Sequence, residues 1–142
     1  TVPVLVVKHP FKYFSPKKIL FASTFREDVS KPLKAVAEFA KLWNAELELV
    51  FLNMLSHLIA ESEAKEMMIR QMDPIPDIGY SLNISETNDE EWGISKFARV
   101  INADVIAVVF DMHTGFNRLF NSGVAEKLIN HESIPVLIMT HK

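Results

Sequence analysis

Apolar and polar positions along the chain switch between two periods. The opening run Thr1-Val-Pro-Val-Leu-Val-Val-Lys8 is β-branched and apolar, with its proline near the start, where a strand tolerates one. Residues 9–16 carry two prolines and three aromatics and read as a linker. Lys18 to Ser23 (KILFAS) is a short, continuous apolar strand. A period of three and four then takes over. Leu33, Val36, Phe39, Ala40 and Trp43 share one face of a helix predicted over 30–44, with Ser30 as N-cap, Pro32 in the first turn and Asn44 as terminator. Glu46 to Asn53 (ELELVFLN) is the next strand. Residues 56–71 read as a helix stopped by Asp73-Pro-Ile-Pro76. Tyr80 to Ser85 (YSLNIS) alternates apolar and polar. Residues 88–102 form a second amphipathic helix with Ile94, Phe97, Ala98 and Ile101 on its apolar side. Ala103 to Phe110 (ADVIAVVF) is apolar almost throughout, residues 122–131 open a short helix at Ser122-Gly123, and Ile134 to Met139 (IPVLIM) is the last strand.

From Lys18 onward strands and helices alternate, which implies a parallel sheet with right-handed crossovers and helices on both faces. KILFAS and ADVIAVVF are apolar on both sides, as central parallel strands must be, whereas YSLNIS fits an edge. The expected fold is α/β, a doubly wound five-stranded parallel sheet of order 3-2-1-4-5, plus an extra N-terminal strand.

That order puts the last strand at the other edge. It carries no charge, and an exposed apolar edge invites pairing. The chain holds a matching segment. Thr1-Val-Pro-Val-Leu-Val-Val-Lys-His9 set against Ser133-Ile-Pro-Val-Leu-Ile-Met-Thr-His141 is identical at four of nine positions. Two readings stand: coincidence between two β-rich nonamers, or residues 1–9 as the last strand of a preceding homologous domain. The second makes 10–16 a linker, 17–142 the domain proper, and the chain a piece of a tandem array. It predicts that residues 3–7 pair antiparallel with 135–139, within the chain or across a dimer. The interface residues are then Pro3, Val4, Leu5 and Val6 against Pro135, Val136, Leu137 and Ile138.

Composition narrows the function. The 142 residues suit one domain. The net charge of −3 gives no reason to expect nucleic acid or an anionic membrane as partner, and Lys8, Lys12, Lys17 and Lys18 read as a solvated linker. The chain has no cysteine, hence no disulfide or thiol nucleophile, which is compatible with the expected cytoplasmic location. No apolar run reaches the length of a membrane span. Asp111-x-His113 reads as a polar loop rather than a metal pair, and the five histidines show no metal spacing, so no metal is expected. There is no P-loop and no serine in a nucleophile elbow. Glu61, Glu63 and Glu66 read as a solvated face, and Met67, Met68 and Met72 as packing. Phe11, Tyr13 and Phe14 read as anchors of the linker to the domain.

The closing segment RLFNSGVAEKLINHESIPVLIM resembles the end of the universal stress protein family, KKILFAST resembles its first strand and INADVIAVV its fourth. The likeness spans nearly all of 17–142 and is weakest at 55–80. It implies an adenine nucleotide alpha-hydrolase-like fold. Many members hold ATP with a loop of Gly, two residues, Gly, nine residues, Gly-Ser/Thr, whose backbone N–H groups and following helix N-terminus cradle phosphate. Anchored on Val124-Ala-Glu-Lys127, the two early glycines fall on Val109 and Met112, and the Gly-Ser pair falls on Ser122 and Gly123 in reversed order. The family's aspartate after the first strand falls on Thr24. Weak or absent ATP binding is therefore expected, with no cofactor. Thr24, Asp111, His113, Gly115, Ser122 and Gly123 are the candidate residues for any ligand at the strand ends, with Arg118 nearby. The expected function is a non-enzymatic stress-response module that works through pairing of its last strand with the preceding domain or a second copy. The alternative is a nucleotide-binding switch, or weak nucleotide hydrolase, with a modified pocket.

Overall fold

The structure, a computed structural model, describes residues 3–10, 13–111 and 124–141. In chain order the elements are β1 (Pro3–Val6), β2 (Lys18–Ser23), α1 (Ser30–Leu42), β3 (Glu46–Met54), α2 (Glu61–Met72), β4 (Tyr80–Thr87), α3 (Glu90–Ile101), β5 (Val105–Asp111), a helix α4 over 124–131, and β6 (Val136–His141). A single six-stranded sheet runs β1-β6-β5-β2-β3-β4. Its five strands from β2 onward are parallel and follow the doubly wound order. β1 is the extra strand, and it runs antiparallel to β6.

Each central strand is buried on both faces because helices cover both. Ile19, Phe21, Leu47, Leu49, Phe51, Val105 and Ala107 pack against α1 and α2. The alternate residues Leu20, Ala22, Val50, Leu52, Ile106 and Val108 pack against α3 and α4. This two-sided burial is why KILFAS and ADVIAVVF show no polar alternation. The methionines behave as core: Met68 and Met72 are fully buried and Met67 packs at the margin, while Glu61, Glu63 and Glu66 are exposed. In the linker, Phe14 meets Trp43 edge to face at 5.3 Å, and Tyr13 is exposed. Phe11 and Lys12 lie outside the described residues.

Two expectations of local structure are corrected. Ser30 is the first residue of α1 rather than its cap; Val29 holds the cap position, and the Asp28 carboxylate accepts both the Ser30 N–H (2.9 Å) and its hydroxyl (2.6 Å). The helix expected over 56–71 begins only at Glu61, after a 3₁₀ turn at Leu55–His57. The buried Asn53 side chain causes the break. Its amide donates to the Ile59 carbonyl (3.0 Å) and its oxygen accepts the Ile59 N–H (3.1 Å), folding the intervening chain into a loop. The opening of α4 at Ser122-Gly123 lies outside the described residues.

Among the described residues the buried polar side chains Asn53, Thr87 and Glu132 are hydrogen-bonded. Glu132, only 2% exposed, follows α4, accepts from Arg99 at 3.2 Å and takes the Ser133 N–H at 3.0 Å. Asn102 ends α3 in the left-handed conformation, its N–H bonded back to the Arg99 carbonyl.

Helix α3 approaches β4 closely enough that only glycine fits at position 93. A Cβ there would stand 2.8 Å from the Thr87 Cγ2. Thr87 cannot turn away, because its hydroxyl donates to the Asp89 carbonyl (2.8 Å) and accepts the Asp89 N–H (3.1 Å). Overpacking costs about 1–3 kcal/mol, against about 1 kcal/mol of helix propensity gained from glycine to alanine. Gly93→Ala is therefore expected to lower stability in urea titration, and to cost less in a Thr87→Ser background, which removes the methyl and leaves the Cβ and hydroxyl at 3.1 and 3.2 Å.

Candidate functional site

The crossovers from β2 and β5 leave in opposite directions, β2 toward β3 and β5 toward β6, so a cleft opens beyond their carboxyl ends. The described residues bound about 200 Å³ of it. Its floor and one wall are apolar: Ala22, Leu52, Ile94, Val108 and Ala125. Ser23, Thr24, Arg26, Glu27 and Glu90 supply the polar groups. Thr24 thus lies where the sequence places it, in the loop between β2 and α1. Asp111 is the last residue of β5. The Asp111 side chain, Met112, His113, Gly115, Arg118, Ser122 and Gly123 lie outside the described residues. Val109, on which one family glycine falls, is a strand residue that lines the cleft and packs on the core.

Three charged residues on the cleft escape a reading by motif. Arg26 and Glu27 belong to the short charged run after β2. Glu90 sits in the first turn of α3, where an acidic residue ordinarily signals nothing beyond the helix dipole. Asp89 is the N-cap of that helix and accepts the Trp92 N–H at 3.0 Å. Glu90 is half-buried against the cleft. Desolvation by burial, and then the neighbouring Asp89 charge, push its carboxyl above the usual carboxylate range. Arg26 is turned to donate to the His57 carbonyl at 3.1 Å. The described part of the cleft therefore joins two carboxylates to one guanidinium. Among the described residues no three His, Asp or Glu side chains stand together to hold a metal ion, and no helix is long and apolar enough to cross a membrane.

The second candidate surface is the β1–β6 ladder. Pro3 stands opposite Met139, Val4 opposite Ile138, Leu5 opposite Leu137 and Val6 opposite Val136. Pro135 lies just before this ladder, and its carbonyl accepts the Ile106 N–H at 2.9 Å. Leu5 packs against the core on the face shared by Leu137 and Met139. Lys8 closes the end of the strand by donating to the Asn130 carbonyl at 2.6 Å, in the last turn of α4.

Neither a protein-family model nor a curated protein matches the chain. Solved structures do. A universal stress protein in complex with cAMP aligns at 14% identity and TM-score 0.66, over 89% of this chain and 98% of that one. A universal stress protein from Archaeoglobus fulgidus DSM 4304 aligns at 19% identity and TM-score 0.74, over 99% of this chain and 50% of that one. A functionally unknown protein from Pseudomonas aeruginosa PAO1 aligns at 21% identity and TM-score 0.68, over 97% of this chain and 52% of that one. The chain thus spans about half the length of the last two. At these identities the likeness establishes the fold: the chain has the architecture of the universal stress proteins, with one extra strand at its open edge.

The raised Glu90 carboxyl makes a pH prediction. The folded chain takes up this proton more readily than the unfolded chain. Ionised Glu90 therefore lowers stability above its folded pKa, and the penalty vanishes below the unfolded value. Glu90→Gln is expected to raise the melting temperature at neutral pH, and the gain is expected to shrink steadily in thermal scans toward acid pH.

Proposed function

We propose that this chain is a universal stress protein-like, non-enzymatic module that works through pairing along its last strand, with a cleft unsuited to ATP. The observation that carries the proposal is the register of the β1–β6 ladder. In the internal repeat Leu5 corresponds to Leu137, Val4 to Val136 and Val6 to Ile138. The ladder sets Leu5 opposite Leu137, its own counterpart, and the Val4–Ile138 and Val6–Val136 pairs exchange under the same correspondence. The two strands meet about a local two-fold axis between the leucines. That is the geometry of an isologous contact between two copies of one surface. A coincidental likeness between two strands has no reason to produce it. The reading that follows is that β1 is the last strand of a preceding homologous domain, and that the preferred occupant of the β6 edge is a last strand of its own kind. The two solved structures about twice as long as this chain fit the same reading.

The case against ATP is chemical. Val109 stands where the family loop has a glycine, Thr24 where it has an aspartate, and Glu27 and Glu90 bring negative charge to the cleft. Isothermal calorimetry with ATP and Mg²⁺ is expected to give no saturable heat at micromolar concentrations. A micromolar constant, about −8 kcal/mol of binding free energy, would overturn this half of the proposal.

One neighbour holds cAMP, which favours the nucleotide-binding switch as second reading. A thermal shift panel of ATP, ADP, AMP and cAMP separates the two, because a ligand at a hundred times its dissociation constant adds about 2.7 kcal/mol of stability. Pairing has its own test in the full chain. Leu5→Asp places a charge against the core and is expected to release β1 while leaving β6 intact. The variant should then self-associate in sedimentation and bind a peptide of residues 1–9, and an excess of that peptide should return it to the monomer. A folded Leu5→Asp protein that stays monomeric and ignores the peptide would refute the pairing role.

A further inference from the structure

The loop between β2 and α1, residues 24–29, forms one wall of the cleft through Thr24, Arg26, Glu27 and Val29. Its backbone is strained at Phe25, which adopts φ 53° although it is not glycine. A side chain in the left-handed region costs about 1–2 kcal/mol. Phe25 points the other way from the cleft residues. It is 1% exposed, stacked on Phe51 at 5.9 Å and packed on Phe21 at 5.8 Å. The aromatic contact holds the ring and the Ser23 hydroxyl accepts the Phe25 N–H (2.9 Å), which leaves the Phe25 and Glu27 carbonyls and the Val29 N–H to be satisfied.

One side chain from another element does that. The Gln71 amide, near the end of α2, donates to the Phe25 carbonyl (3.2 Å) and the Glu27 carbonyl (2.9 Å), and its oxygen accepts the Val29 N–H (2.6 Å). Both donors and the acceptor are engaged, which fixes the orientation of the amide. Val29 is the cap position of α1, and Gln71 accepts its N–H, as a glutamate or glutamine at the third helical residue does in a capping box; that place here is Pro32. No other long side chain combines two N–H donors with an acceptor: glutamate has no donor when ionised, lysine no acceptor, and methionine no donor.

We infer that Gln71 is the positioning residue of the cleft, a latch that holds the strained β2–α1 loop, with Arg26 and Glu27, across its mouth. Without it three backbone groups lose their partners, Phe25 has reason to leave the left-handed region, and the wall swings open. The inference concerns the shape of the cleft and stands apart from the pairing role proposed above. It makes access to the strand ends depend on α2, which packs on the opposite face of the sheet from α3 and α4.

The absence of cysteine gives the test a clean reporter. Ala22 lines the cleft floor and is 4% exposed, so Ala22→Cys reads cleft opening through its rate of labelling by a small thiol reagent. Ala98→Cys, fully buried on α3 away from the loop, reads global opening. Adding Gln71→Met is expected to speed labelling at position 22 on the order of tenfold, the loss of roughly one net hydrogen-bond energy of about 1.4 kcal/mol, with position 98 unchanged. Gln71→Glu supplies the readout that packing alone would not move. Its carboxylate keeps the Val29 contact and lacks the donors, so amide hydrogen exchange in 25–29, corrected for intrinsic rates, should be fast at neutral pH and slow again where the carboxyl is protonated. Equal acceleration at positions 22 and 98, no acceleration at 22, or exchange in Gln71→Glu that ignores pH would each overturn the latch.

Discussion

A sheet edge that carries no charge must be covered, and in this molecule the whole arrangement depends on what covers β6. The doubly wound order forces one terminal strand to the side away from β4. Its residues are apolar because α1 on one face and α3 and α4 on the other bury them, so charge cannot be used to blunt the edge without damaging the core. β1 resolves the conflict by supplying the missing backbone partners and half-burying Leu5 opposite Leu137. The symmetry of that contact, with Leu5 opposite its counterpart Leu137, is the basis of the pairing role proposed above.

The cleft at the other end of the strands follows a different logic. Its position comes from topology, but its character comes from a few side chains that the loops bring in. The described residues give it an apolar floor, two carboxylates and a guanidinium engaged with the His57 carbonyl. Glu90 states the cost in a single group: an ionisable side chain pressed against an apolar wall, beside a second negative charge, holds its proton more firmly than it would in water. The opposite wall is set by Gln71, distant in sequence and unrelated to any strand-end motif. The two walls of the cleft thus rest on α3 and on α2, from opposite faces of the sheet.

How legible these features were depended on their range. Binary pattern located each of the described strands, because central and edge strands differ in how many faces are buried, and the texture of YSLNIS against ADVIAVVF records that difference directly. The repeat in residues 1–9 pointed to the sixth strand. Local capping was harder to read. Ser30 looks like a cap, yet Asp28 does the bonding from two residues earlier, and Asn53 converts a helical composition at 56–60 into a loop by bonding to Ile59. Such side chains compete with the backbone for the same groups, and composition does not announce the winner.

By itself the sequence determined the element order, the parallel sheet, its strand order and the identity of its vulnerable edge, because hydrophobic period and two-sided burial are properties of neighbouring residues. Only the tertiary structure decided the register that sets Leu5 against Leu137, the close approach that reserves position 93 for glycine, and the convergence of Gln71, Arg26, Glu27 and Glu90 around the cleft. The physical reason is the same in each case: these are contacts between residues far apart in the chain, whose energies exist only once the sheet has brought its helices and its edges together.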